Sequence, residues 1–346
     1  MLGRLLALPV LLASGLAVAA TLSSLSSVPR PQPARPVEVQ VEFEPVALDA
    51  ADSTRASVGS LRYRGGLALR SADPRFGGLS DLRVSPDGAQ IVAVSDCGSG
   101  LTATLTYGPD GRLAGLRDVR LVALGSGGAP ADEVDAESLV AAGEVLEVGF
   151  EGRGGLRAYA AEPAFVGPVR LLPSPPGLGA CGRNGGVEAM TATADGGRLL
   201  VCEGKRGASA TVPAWIGRGD AWTAHEYPLH FDGGWMGEPF RPTGAGLLPG
   251  GDLLVVERRF PPIGARVVRL SRASLGASGP LEPSEIARIE APLTVDNFEG
   301  VEARRDAASG ETLVYLLSDD NGCSKRGATR VPGLQRTLLL MFALGE

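Results

Sequence analysis

Five times along the chain, a short apolar segment is followed by a turn and then by a second apolar run that ends in an acid. The first copy is residues 77–84, the turn Pro86-Asp87-Gly88 and residues 91–96. The second is 135–140, Ala142-Gly143 and 145–151, and the third is 185–190, Asp195-Gly196-Gly197 and 199–203. The fourth is 242–248, 249–252 and 253–257, and the fifth is 297–302, Ala308-Ser309-Gly310 and 313–320. The leading segment carries an acid in all but the fourth copy, which has Thr243-Gly244 in its place. Asp81, Glu137, Glu188, Gly244 and Glu299 follow one another at intervals of 56, 51, 56 and 55 residues. Weaker apolar stretches follow within copies, among them 103–107, 156–160, 267–270 and 337–344. A repeat near 50 residues, built on a hairpin plus further strands, predicts an all-β chain folded as a β-propeller. Asp-Gly and Gly-Gly turns supply the positive φ that tight hairpins need. A solenoid is the competing architecture, but its repeats are usually shorter and more uniform.

Ahead of the first copy, residues 37–41 alternate apolar and polar as a half-buried strand does, and 61–63 are also strand-like. This segment can pair with the C-terminal strands and so remove exposed edges. The expectation is therefore six blades, five from the clear repeats of about 55 residues and one closed by the N-terminal segment. Composition agrees with a turn-rich β fold: the chain has 49 Gly and 26 Pro among 346 residues, a share well above the usual ~12%. An apolar share of 44% is enough for a sizeable core, and a net charge of −6 gives no footprint for nucleic acid.

Residues 1–20 have the form of a secretory signal, with Arg4 ahead of an apolar stretch and small residues at Ala17, Ala19 and Ala20. The stretch is shorter than the ~20 residues of a membrane span. Residues 21–36, rich in Ser, Pro and Arg, are expected to be a flexible linker, and residues 37–346 the propeller domain. The expected protein is exported, periplasmic or extracellular, with no stable membrane span after cleavage, and monomeric. In that compartment Cys97, Cys181, Cys202 and Cys323 can pair, and four cysteines allow three connectivities.

In a propeller the first strand of each blade lines the central channel, so equivalent residues form a ring. That places Asp81, Glu137, Glu188 and Glu299 around one axis, with the strand-ending acids Asp96, Glu151, Glu203, Glu257 and Asp319 near one mouth. Converging carboxylates must take up protons, pair with arginine or bind a cation. Oxygen donors without His or Cys select a hard cation such as Ca²⁺. A solvated acidic channel and pairing with neighbouring arginines are the two alternatives. Other chemistry is poorly supported. No G-x-S-x-G elbow occurs, and the two histidines, His225 and His230, lie in a Trp/Tyr/Pro-rich stretch. The G-x-G-x-x-G at 177–182 follows prolines and has no strand before it, so it is a glycine-rich loop.

Phe76-Gly77-Gly78-Leu79-Ser80, Asp135-Ala136-Glu137-Ser138-Leu139, Asn184-Gly185-Gly186-Val187-Glu188-Ala189-Met190 and Leu254-Val255-Val256-Glu257-Arg258-Arg259-Phe260 form a characteristic series. With Asp296-Asn297-Phe298-Glu299-Gly300 and Ser318-Asp319-Asp320-Asn321 it resembles the phytase-like domain family, also called "esterase-like activity of phytase". The resemblance covers about 62–344. It implies an exported propeller linked to calcium-dependent hydrolysis of phosphate or carboxylic esters. On that resemblance Asp81, Glu137, Glu188 and Glu299 would hold calcium, with Glu137, Glu188 and Glu299 catalytic. Arg258, Arg259, Asp96, Glu151, Asp319 and Asp320 would contact a small ester or phosphoester substrate. A non-catalytic binding or scaffold propeller is the alternative, since fold does not dictate function. The chain departs from the family at Cys97, where a basic residue is expected, and in an insertion at 322–334 that carries Cys323. Both cysteines follow matching strand ends of the first and last copies, which points to Cys97–Cys323 and leaves Cys181–Cys202 as the other disulfide.

Overall fold

The computed structural model describes residues 35–125, 134–152, 155–182, 186–204, 210–232, 237–322 and 335–345. Four strands precede the repeats: β1 (Val37–Glu38), β2 (Glu42–Pro45), β3 (Ser57–Val58) and the ten-residue β4 (Leu61–Arg70). Blade 1 comprises β5 (Leu79–Val84), β6 (Gln90–Ser95), β7 (Ser99–Tyr107) and β8 (Leu113–Ala123), with β1 added outside β8. Blade 2 holds β9 (Ala136–Ala142), β10 (Val145–Phe150), β11 (Gly155–Ala160) and β12 (Arg170–Leu172). Blade 3 is β13 (Val187–Ala192), β14 (Arg198–Cys202), β15 (Thr211–Arg218) and β16 (Ala221–Pro228). Blade 4 is β17 (Arg241–Leu247), β18 (Leu253–Arg259), β19 (Gly264–Leu270) and β20 (Pro283–Glu290). The last repeat supplies β21 (Phe298–Arg305), β22 (Thr312–Ser318) and β23 (Thr337–Leu344).

The propeller has five blades, which corrects the expectation of six. The N-terminal segment does pair with the C-terminal strand, β4 running antiparallel to β23 from Leu69 opposite Thr337 to Leu61 opposite Leu344. It does so as the fourth strand of blade 5, not as the start of another blade. The fifth repeat contributes three strands, and β23 would otherwise present an open edge, which β4 covers. A sixth blade would need its own channel-lining strand between the last and first repeats. Instead β21 packs directly on β5, and the ring closes through β5, β9, β13, β17 and β21.

The same closure explains the unusually apolar strands. Each blade is covered on both faces by its neighbours, so its middle strands cannot alternate apolar with polar. In β22, Leu313, Tyr315 and Leu317 pack towards blade 1, while Val314 and Leu316 pack towards blade 4. Leu199 and Val201 of β14 face blade 4, and Leu200 and Cys202 face blade 2. With the cluster of Val94, Val122, Leu139 and Val148 between blades 1 and 2, the described residues form five apolar layers, one per blade interface.

At the axis the innermost strands approach closely. A Cβ on Gly244 would lie 2.0 Å from the Glu299 carbonyl oxygen, and one on Gly300 would lie 3.1 Å from the Asp81 Cα. Only glycine allows that approach. One side chain then joins the blades across the channel. Arg83 of β5 donates to the Met190 carbonyl of blade 3 (2.8 Å), the Ala245 carbonyl of blade 4 (3.1 Å) and the Val301 carbonyl of blade 5 (3.5 Å). It also pairs with Asp81 at 3.0 Å and Glu302 at 3.3 Å. Asp81 in turn accepts from the Leu139 amide of blade 2 at 2.8 Å. Asp81 and Arg83 together thus touch all five innermost strands.

Two outcomes follow from this architecture. A chain that begins at Ser71 lacks β4, and its β23 edge is open; it is expected to lose cooperative unfolding and to self-associate, as read by denaturant titration and light scattering. Arg83→Met leaves Asp81 and Glu302 buried without their cation and is expected to cost about 3–5 kcal/mol in urea denaturation. A change below ~1 kcal/mol would show that the blades do not depend on this contact.

Candidate metal and active site

In every blade the pairing of the innermost strand with the next is interrupted at one residue near the channel mouth. The interruptions fall at Ser80, Glu137, Glu188, Thr243 and Glu299. Each is a β-bulge, an extra residue left out of the ladder, which bends the strand and re-aims the side chain. On each second strand, the residue just beyond the one paired with the residue ahead of the bulge makes a further ring: Asp96, Glu151, Glu203, Arg258 and Asp319. Of these ten positions seven carry a carboxylate and one a guanidinium.

Three expected site acids, Glu137, Glu188 and Glu299, stand at bulge positions, and Asp96, Glu151 and Asp319 stand in the neighbouring ring. Asp81 does not join them. It lies one residue past the bulge, fully buried, with its oxygens bonded to Arg83 and to the Leu82 and Leu139 amides. In a strand a one-residue offset turns a side chain to the other face. The same offset separates Glu257 from Arg258. Glu257 is buried beneath the ring, accepting from Tyr227 Oη at 2.6 Å and paired with Arg266, while Arg258 takes the mouth position. Arg259 is directed away, bonded to Asp232 (2.5 Å) and Glu290 (2.6 Å) with its guanidinium 4.5 Å from the Phe240 ring centroid. Asp320 accepts from the Gly78 amide at 3.0 Å and the Gly322 amide at 2.9 Å, joining blade 5 to the lead-in of blade 1.

Arg258 Nη2 lies 3.1 Å from Glu203 and 3.3 Å from Glu299. Asn297 Nδ2 donates to Glu299 at 2.8 Å and to Asp319 at 3.4 Å, and the Gly186 amide donates to Glu188 at 3.1 Å. Burial and mutual repulsion dominate the electrostatics. Glu188 is pushed up to about 8 by burial and then by the charge of Glu203, with Arg258 opposing. Glu299 is also raised to about 8 by burial, Arg258 again opposing and Glu188 adding repulsion. Glu137 is held well above the usual carboxylate range by burial and by Glu188, Glu299, Asp135 and Asp96. Asp319 is raised for the same reasons, burial first and Glu299 next.

On the blade 2 side, Asp135, Glu137 and Glu151 bring carboxylate oxygens within 4.8 Å of one another. With Ca–O distances of ~2.3–2.6 Å, oxygens up to ~5 Å apart can share one calcium ion, so this donor set fits a hard divalent cation. Asp135 and Asn297 are not among the residues expected at the mouth, whereas Glu203 is, as a strand-ending acid. Asp135 lies two residues ahead of the bulge at Glu137, a fact that only the ladder gives. Beside the site, the Cys181–Cys202 disulfide joins the 3-10 turn at Leu178–Cys181 to the end of β14, next to Glu203. Cys97 is disulfide-bonded too, and its expected partner Cys323 lies outside the described residues.

A family profile described as "Phytase-like: Esterase-like activity of phytase" matches residues 74–322. No curated protein matches the sequence at a significant level. Among solved structures, a luciferin-regenerating enzyme is similar at 12% identity and a TM-score of 0.42, covering 88% of this chain and 98% of its own. U3-55K is similar at 11% identity and 0.40, covering 86% and 100%. The Cps50 (Swd1) β-propeller domain of Myceliophteria thermophila is at 10% and 0.32, covering 90% and 99%. Likeness at this level bears on neither function nor blade number.

The raised carboxyls fix the sign of a pH effect. A group whose folded pKa exceeds its unfolded value stabilises the fold most below the unfolded value, and that stabilisation is lost as pH rises through the folded value. For Glu188 and Glu299 the window runs from about 4.5 to about 8. In chelator, the melting temperature is expected to fall across that window by on the order of 5 °C. Calcium is expected to raise it more at pH 8 than at pH 5, by differential scanning calorimetry. An unchanged melting temperature across the window would count against a strained acid cluster.

Proposed function

The chain belongs to the phytase-like family, and from that premise we propose that it is an exported, calcium-dependent hydrolase of phosphate or carboxylic esters acting at the mouth of the propeller channel. The observation that carries this reading is the convergence of seven carboxylates on one axis, two of them, Glu137 and Glu151, lying with their neighbour Asp135 within reach of a shared ion. In detail, Asp135, Glu137 and Glu151 are the ligands. A bound cation would screen the acids and polarise the ester oxygen. Glu188 and Glu299 can hold or release a proton near neutral pH and so suit the exchange of a proton with an attacking water. Arg258, with about a quarter of its side chain exposed, presents a guanidinium fork to an anionic oxygen of the substrate. Asp96 and Asp319 belong to the ring around the mouth, while Asp320 is engaged by the Gly78 and Gly322 amides. Asp81 and Arg259 are assigned no contact with substrate, since their partners lie within the fold.

Export rests on the signal-like residues 1–20, the linker 21–36 and the disulfide chemistry, since Cys181–Cys202 suits an oxidising compartment. Among the described residues no helix is long and apolar enough to cross a membrane.

Purified protein assayed on nitrophenyl phosphate and on nitrophenyl carboxylic esters, with calcium or with chelator, tests the reading. Chelator is expected to lower the rate at least tenfold and calcium to restore it. Glu188→Gln is expected to lower kcat by ~10²–10⁴ while calcium is still bound. Turnover that survives both chelator and Glu137→Gln would exclude a metal-dependent reaction at this site.

A further inference from the structure

The outermost strand of blade 2 is unusually short. β12 has three residues, against eleven in β8 and eight in β16 and β20. The apolar layer between blades 2 and 3 is left with less cover at its flank, and a cleft of about 160 Å³ opens there. Leu156 and Leu172 line it from blade 2, Met190 and Trp222 from blade 3. Gly217 lets the indole lie close to the sheet, since a Cβ there would stand 2.9 Å from Trp222 Cε3. Trp222 Nε1 donates to the Gly219 carbonyl at 2.7 Å. The indole has no other polar atom, so what it offers the cleft is apolar ring surface.

The charges that line the cleft fall into two kinds. Glu147 and Arg198 form a two-bonded pair across the blades, Nε to Oε2 at 2.6 Å and Nη2 to Oε1 at 2.9 Å. Arg198 Nη1 donates to the Gly196 carbonyl at 3.2 Å and the Gly197 carbonyl at 2.7 Å. That pair cancels within the fold. Arg218 is held differently, by the Asp195 carbonyl, with its Nη2 over Gly196, where a Cβ would be 2.7 Å away. Among the described residues no carboxylate forms an ion pair with it. The Asp195 carboxylate accepts from Thr193 Oγ1 at 2.5 Å and the Gly197 amide at 3.2 Å. Those bonds, Thr193 first, hold it below the usual carboxylate range, and the charge of Arg218 bears on it least.

We propose that this cleft is a binding site for a flat aromatic anion, with the ring against Trp222 and the carboxylate on Arg218. A cavity of ~150 Å³ lined by apolar side chains takes up benzene, so this one suits a single ring. Offset stacking on the indole favours an aromatic ring over an aliphatic chain. A guanidinium oriented through one donor keeps others for a carboxylate. None of these residues belongs to the mouth, so the proposal stands whether or not the mouth holds a metal.

The test is calorimetric titration of the full chain with sodium benzoate, with benzyl alcohol as the uncharged comparison. Benzoate is expected to bind at one site with a Kd on the order of 1 mM, and the alcohol at least ~5-fold more weakly. Arg218→Met is expected to remove that preference and leave the affinity for the alcohol unchanged. Trp222→Leu is expected to weaken both ligands at least ~3-fold. Glu137→Gln, at the mouth, is expected to change neither. In the unaltered chain, where no variant has to fold, the Trp222 indole N–H signal is expected to shift along the benzoate titration in ¹H–¹⁵N NMR. Absence of saturable benzoate binding, equal affinity for the two probes, or an unmoved Trp222 signal would each overturn the proposal. Benzoate binding lost in Glu137→Gln and kept in Arg218→Met would also overturn it, placing the ligand at the mouth.

Discussion

A buried ion pair at the axis ties the five blades to one another. Sheets that meet face to face through apolar side chains can slide, because dispersion and hydrophobic contact are non-directional. Asp81 and Arg83 replace that freedom with directed bonds: one carboxylate to the Leu139 amide of blade 2, one guanidinium to carbonyls of blades 3, 4 and 5. Burying such a pair is expensive, and both Asp81 and Glu302 are raised to about 7 by burial against the pull of Arg83. Its worth lies in registration more than in net stability, since breaking a buried pair costs far more than the pair contributes over an apolar substitute. Registration matters here because Glu137, Glu188 and Glu299 sit on the same strands, two residues or ~7 Å from Leu139, Met190 and Val301.

The mouth itself is a concentration of like charge held by a rigid ring. Bulges at equivalent points of the innermost strands direct Glu137, Glu188 and Glu299 into one space, and the second ring adds four more acids. A flexible surface would let such groups separate into water. Here Asn297 holds Glu299 and Asp319 from one side, and the Gly186 amide holds Glu188 from another. The repulsion is therefore stored and not relaxed, and it is available to any cation that fits. Arg258 offsets part of it from within the chain.

Much of this was legible in the residues. The interval near 55, the turns and the two-sided apolar runs such as 313–317 define stacked blades, and the acids at Glu137, Glu188 and Glu299 recur at the right spacing. What failed was resolution to a single position. In Ser80-Asp81 and in Glu257-Arg258 both members of each pair are polar, and the choice of which one faces the mouth depends on a bulge. A side-chain period of two turns an error of one residue into an error of face. Asp81 thereby belongs to the axial ion pair, and Arg258 to the ring.

Blade number was decided the same way, by pairing over a long separation. Residues 61–63 read as strand-like and 337–344 as a further apolar strand. That they lie side by side, and so complete the fifth blade without opening a sixth, depends on the ring closing between β21 and β5. Local residues settle propensity, turn chemistry and the apolar faces, because these are properties of a few neighbours in the chain. Closure, bulge position and the partner of each charge depend on strands brought together from distant parts of the chain, and no window of sequence contains both halves of those contacts.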